Sequence, residues 1–181
     1  PTANGRSHGD LSTSISQLHR EYTQHQRQGR LEFQSQLVTF ESMMTACADL
    51  IRLDNSFEDS SKIVLEQPGC RRIFLLDEQG YQITRTIAPS HTESDAYHPL
   101  KQAQGANWAR RKYFQRAIES PNRVYISRPY LALPDASIEV TFAMAYNHNN
   151  QLFVLCCDVD SRYIDAAGNL LQQGKMITQP I

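Results

Sequence analysis

The residues with the most chemical potential fall in one run, Trp108-Ala-Arg110-Arg111-Lys112-Tyr113-Phe114-Gln-Arg116. A guanidinium is a planar fork of N–H donors that can clamp a carboxylate at two points. Flat aromatic side chains make the apolar walls that small-molecule pockets have. Drawn as a helix, the run puts Trp108, Arg111 and Lys112 on one side and Arg110, Tyr113 and Phe114 on another, so the two arginines diverge and at most one looks inward. Arg111 is the candidate clamp, and Trp108 and Tyr113 are candidate walls. The same residues also suit a plainer role, with Arg111 as a surface charge or an ion pair to Asp158 or Glu139 and the aromatics anchoring the helix.

Two further positions could orient a ligand. Ser127 and Tyr130 bracket Pro129 at a strand end and bring hydroxyls. Asp158 ends a fully apolar strand, where a carboxylate needs a partner: a ligand ammonium, Arg111 or a backbone N–H. Catalysis finds no support. The sequence has no glycine-rich phosphate loop, no Gly-x-Ser-x-Gly elbow and no His-Glu-x-x-His. His91, His98 and His148 sit in a loop or turn without a partner at metal-ligand spacing. Neither a catalytic residue nor a metal or other cofactor is expected.

These side chains need a frame. From Leu11 apolar residues recur at helical spacing: Leu11, Ile15, Leu18 and Tyr22, an interruption at Gly29, then Phe33, Leu37, Phe40, Met44, Cys47 and Ile51. This predicts a long N-terminal helix over 11–55, packed on its own domain along one stripe and able to serve as linker or dimer seam. Residues 1–10 read as a disordered start or an appended remnant. A short helix over Glu58–Gln67 precedes a β-hairpin, Arg72–Asp77 with Tyr81–Ile87 around Gly80. Residues 88–107 form a loop with the length of a lid or binding loop. Trp108–Glu119 is a helix and Arg123–Ser127 a strand. Ser137–Tyr146 alternates, and Leu152–Val159 is apolar throughout, as in a strand covered on both faces. A closing helix over Ser161–Leu171 and a frayed tail over 176–181 complete the order. The fold class is therefore α+β, one five-stranded antiparallel sheet flanked by helices, with the globular domain over 56–175.

The chain has 181 residues and a formal net charge of -1. That balance argues against a nucleic-acid partner, which usually meets a basic excess. No apolar run reaches the roughly 18 residues that a membrane span needs. Cys47, Cys70, Cys156 and Cys157 do not form a disulfide-like framework, and the vicinal pair points to opposite faces of a strand. Four reduced, buried thiols imply a cytoplasmic setting, with a periplasmic one as the alternative if a membrane segment lies outside this stretch.

Gly105–Asp160 resembles the Cache family of sensor domains, whose fold is PAS-like. The matching features are the aromatic pair after an arginine in Arg111-Lys-Tyr113-Phe114, the strand end Ser127-Arg-Pro129-Tyr130, and the acidic close at Asp158 or Asp160. The run Cys70-Arg71-Arg72-Ile73-Phe74, with Leu76-Asp77 and Gly80-Tyr81-Gln82, resembles the PAS-like domain found beside bacterial EAL-type phosphodiesterases of cyclic di-GMP. The resemblance implies a ligand-sensing regulatory domain that signals to an output domain in the same parent polypeptide, an EAL-type phosphodiesterase, and that dimerises through the N-terminal helix. The alternatives are a non-sensing dimerisation module, or a periplasmic Cache domain of a chemoreceptor or histidine kinase. Amino-acid-binding members carry Trp-Tyr where this sequence has Tyr113-Phe114, which widens the implied ligand class to small organic acids, amines or purine-like compounds.

Overall fold

Asn149 and Asn150 both adopt the left-handed region, with φ of 48° and 62°. This is the backbone of a tight two-residue hairpin turn, and asparagine tolerates it. It joins β4 (Ile138–His148) to β5 (Gln151–Asp160), which pair from His148↔Gln151 to Glu139↔Asp160. Everything else is built on that hairpin. β1 (Cys70–Leu76) pairs antiparallel with the free side of β5, while β2 (Val124–Ile126) and β3 (Tyr130–Leu131) pair with β4. The sheet has five strands, in the order β1-β5-β4-β2 with β3 beside β4. The computed structural model describes residues 7–89, 103–132 and 136–164, with side chains described from Ser16 onward except at 25, 26, 32 and 33.

Strand parity divides the core in two. On one face Ile73, Leu75, Val140, Phe142, Met144, Tyr146, Leu155 and Cys157 pack under α1 (Ser7–Arg52) and α2 (Phe57–Leu65). α1 contributes Leu37, Phe40, Met44, Cys47 and Ala48, and the Phe40 and Phe142 rings stack at 5.0 Å. On the other face Phe74, Leu76, Ala143, Ala145, Val154 and Cys156 pack under Tyr113, Phe114 and Ala117 of α3 (Lys112–Glu119). Cys156 and Cys157 thus face opposite layers. All four cysteines are buried and free, and burial pushes the Cys47 thiol up to about 12.

Several elements differ from the sequence-based expectation. Gly29 does not break α1, because one glycine in a helix interior costs only about 1 kcal/mol against alanine. The stripe from Leu37 onward is spent on the chain's own sheet, so a dimer seam cannot use it. Leu18, Tyr22 and Leu31 remain exposed. The return arm of the first hairpin makes only isolated bridges, Leu76↔Gln82 and Ile73↔Ile87, and the fifth strand is instead Tyr130–Leu131. The third helix starts at Lys112, not Trp108. Ser161–Tyr163 is a 3-10 turn ending at Ile164, and 165–171 of the expected closing helix lie outside the described residues, as do 1–6, the tail and most of the 88–107 loop with His91 and His98.

Candidate functional site

β1 opens with a register shift between Cys70 and Arg72. The extra residue of a bulge re-aims side chains. Here Arg71 and Arg72 both meet acidic residues of one β5 face: Arg71 Nη2 lies 2.6 Å from Asp160 Oδ2, and Arg72 Nε lies 3.1 Å from Asp158 Oδ2. Arg72 Nη2 also pairs with Glu139. Burial works to lower the Arg72 pKa, and the Asp158 and Glu139 carboxylates outweigh it, so the net direction is up and the guanidinium stays charged.

The far side of Asp158 is also occupied. Thr141 Oγ1 stands 2.7 Å from Asp158 Oδ1 and 3.0 Å from the Tyr130 hydroxyl. The Thr141 hydroxyl gives its one proton to Asp158, so in the second contact Tyr130 donates to Thr141. Burial is the main reason the Tyr130 phenol is raised above its ordinary pKa, with the Asp158 charge next, and it stays protonated to make this bond. The Thr141 backbone N–H donates to Ser127 Oγ at 2.8 Å, which in turn donates to the Arg128 carbonyl.

Above this polar floor lies a cavity of about 260 Å³. Phe74, Trp108 and Tyr113 are its aromatic walls. Arg72, Arg111 and Tyr130 give it charge and a hydroxyl, while Gln82 and Thr86 come from the bridged return arm. Trp108 is set by the turn before it. Gly80 has φ of +83°, and a Cβ there would sit 2.7 Å from the Ala109 nitrogen. Its carbonyl accepts from the Trp108 N–H at 2.7 Å, and the indole Nε1 donates to Gln82 Oε1 at 3.2 Å. The Gln82 amide nitrogen donates to Thr84 O and Thr86 Oγ1, so this buried side chain is fully engaged. The Arg111 guanidinium lies 5.7 Å over the Trp108 ring, and among the described residues it has no carboxylate partner. Burial is the main reason the Tyr113 phenol is raised above its ordinary pKa, and its hydroxyl takes no protein hydrogen bond among the described residues.

Of the residues singled out from sequence, the structure brings Trp108, Arg111, Tyr113 and Tyr130 to this cavity. Ser127 lies in the neighbouring cleft with its hydroxyl already bonded. Asp158 meets Arg72 and Thr141, not Arg111, and is only 5% exposed. Sequence reasoning missed Arg72, Phe74 and Gln82. A signal for Arg72 existed: a charge opening an apolar strand needs an acidic partner, and Asp158 and Asp160 share one parity. Among the described residues, no group of three or more His, Cys, Asp or Glu is placed to hold a metal ion. No helix among them is long and apolar enough to cross a membrane.

The fold is that of Cache-like sensor domains. One similar solved structure is the sensory domain of the Campylobacter jejuni chemoreceptor Tlp3 with isoleucine bound, with TM-score 0.60 and 13% identity over 94% of this chain and 69% of that one. Another is the ligand-binding domain of the Pseudomonas aeruginosa amino acid chemoreceptor PctB in complex with L-Arg, with TM-score 0.56 and 16% identity over 86% of this chain and 63% of that one. A third is the Bacillus subtilis YkuI protein, with an EAL domain, in complex with its substrate c-di-GMP and calcium. That match has TM-score 0.55 and 20% identity over 90% of this chain, which spans 40% of the Bacillus chain. No family model and no curated protein sequence matches the chain.

At the end of β5, hydrogen bonds from Arg162, then from Arg71, hold the Asp160 carboxyl well below the usual carboxylate range, against the upward push of burial. A carboxylate depressed in the folded state adds stability that is complete above its unfolded pKa, about 3.9, and is lost as pH falls through the folded value. The stability gap between the native chain and Asp160→Asn is therefore expected to be full at pH 7 and to narrow below about pH 4. Urea unfolding at a series of pH values reads it, and a pH-independent gap would contradict this assignment.

Proposed function

We propose that the chain is a non-catalytic, ligand-sensing regulatory domain whose cavity takes a small organic acid. The observation that carries this reading is Arg111: an exposed guanidinium at the mouth of an aromatic cavity, stacked on Trp108 and without a carboxylate partner among the described residues. Arg72, the other guanidinium of the cavity wall, is already neutralised by Asp158 and Glu139. Arg111 is thus the clamp, Trp108, Phe74 and Tyr113 enclose the apolar body, and the Tyr113 hydroxyl is free to donate. Asp158 is a positioning residue for Tyr130 and does not hold a ligand ammonium, which turns the ligand class from amino acids toward carboxylic acids.

Binding would shift α1 only through different affinity for two arrangements of the domain, and α1 would pass that shift to an output domain. The likeness to a protein with an EAL domain supports an EAL-type phosphodiesterase as that output. The buried free thiols support a cytoplasmic setting, while the two chemoreceptor domains keep a receptor setting as the alternative. A thermal-shift screen of organic acids, amines, purines and amino acids tests the function. A carboxylic acid at about 100 times its dissociation constant adds roughly 2.7 kcal/mol. Arg111→Ala is expected to remove most of that gain and Trp108→Ala to reduce it. Stabilisation by amines alone, or by acids equally in Arg111→Ala, would contradict the assignment.

A dimerisation role is compatible with sensing, and one observation favours it. Leu18 and Tyr22 lie one turn apart on the N-terminal half of α1 and are 65% and 63% exposed. Sedimentation of Leu18→Glu/Tyr22→Glu is expected to give half the native mass. An unchanged mass would remove this seam.

A further inference from the structure

Beside the cavity, between the start of α3 and the β2–β3 connection, lies an open cleft of about 500 Å³. Arg111, Tyr113 and Tyr130 line both spaces. The cleft's other charged walls are Arg110, Lys112, Arg116 and Arg128, and no carboxylate is among its lining residues. The whole chain has 18 basic against 19 acidic residues, so this grouping reflects local segregation and not a general excess. Arg116 has Glu119 at 2.9 Å. Among the described residues, Arg110, Lys112 and Arg128 have no carboxylate partner. The first turn of α3 also has no acidic residue and no side-chain cap. Cations grouped in a concavity without counter-charges repel one another and raise the local concentration of anions.

We propose that this cleft is an anion subsite continuous with the cavity, so that the ligand carries a multiply charged anionic group, a phosphate monoester or a polycarboxylate, on an apolar body. The proposal rests on the cavity reading above. The shared wall argues for one ligand spanning both spaces: a carboxylate or phosphate held by Arg111 sits at the junction, with the apolar body toward Trp108 and further charge toward Arg110, Lys112 and Arg128. Confinement of the cations to a concavity in a charge-balanced chain fits a small polyanion better than a nucleic acid, which needs an extended basic face.

Isothermal titration calorimetry with the full chain tests this, using phenylacetate, phenylmalonate, phenyl phosphate and inorganic pyrophosphate as probes. The comparison is the native chain against Arg110→Gln/Lys112→Gln/Arg128→Gln, three exposed positions. At least one of the two aromatic dianions is expected to bind about tenfold tighter than phenylacetate, as extra charge-assisted hydrogen bonds allow. In the variant that ratio should fall to about one, and in the native chain it should shrink as salt is added. Whichever of phenylmalonate and phenyl phosphate carries the preference identifies the polycarboxylate or the phosphate source. Equal affinities for phenylacetate and both dianions, or a ratio that survives in the variant, would overturn the cleft while leaving the cavity reading intact. Pyrophosphate binding to the native chain alone, with no aromatic probe bound, would overturn the cavity reading and leave an isolated anion site. No binding by any probe would overturn both.

Discussion

The ion pair between Arg72 and Asp158, extended through Glu139 on one side and through Thr141 and Tyr130 on the other, is the constraint that organises the cavity face of this domain. Its members come from β1, β5, β4 and β3, and Arg72 of β1, 86 residues from Asp158, meets the others only through the sheet register. Charges and hydroxyls this far from water persist only when each has a partner. Satisfying them fixes the floor of the cavity and the position of Tyr130 in its wall. It also leaves Arg111 as the cavity's cation without an acidic partner among the described residues.

The two faces of the sheet divide the labour. On one, large apolar side chains bind α1 tightly through Phe40, Met44 and Cys47. On the other, Ala143 and Ala145 underlie a short helix, and the space beyond it becomes cavity and cleft. A change on the cavity face can reach α1 by a short path, because neighbouring residues such as Phe142 and Ala143 of β4 face opposite layers. That arrangement fits the proposed sensing role, with the sheet as the element both sides must bias.

Much of this was legible in the sequence. The alternation from Ile138 to Tyr146 and the apolar run of β5 predict the central hairpin, and the stripe from Leu37 to Ile51 predicts the packed half of α1. Trp108, Arg111, Tyr113 and Tyr130 were legible as a group because an arginine among aromatics in a short span is chemically conspicuous. What was not legible depends on pairing across the sheet. Arg72 reads as the polar edge of a strand until β5 is laid beside it, and Asp158 reads as a carboxylate in need of a partner, with Arg72 not among the candidates, for the same reason. The start of α3 was misplaced by four residues because Trp108 is held by the Gly80 carbonyl and Gln82, contacts that no local propensity encodes.

Trp108 is the single tryptophan of the chain, and it forms a wall of the cavity. Its fluorescence therefore reports on that space directly. Titration with an organic acid that stabilises the protein is predicted to change the Trp108 emission saturably, at the concentration that governs the stabilisation, and Arg111→Ala should shift that titration to much higher concentration. A stabilising ligand that leaves the emission of Trp108 unchanged would place binding elsewhere and contradict the account.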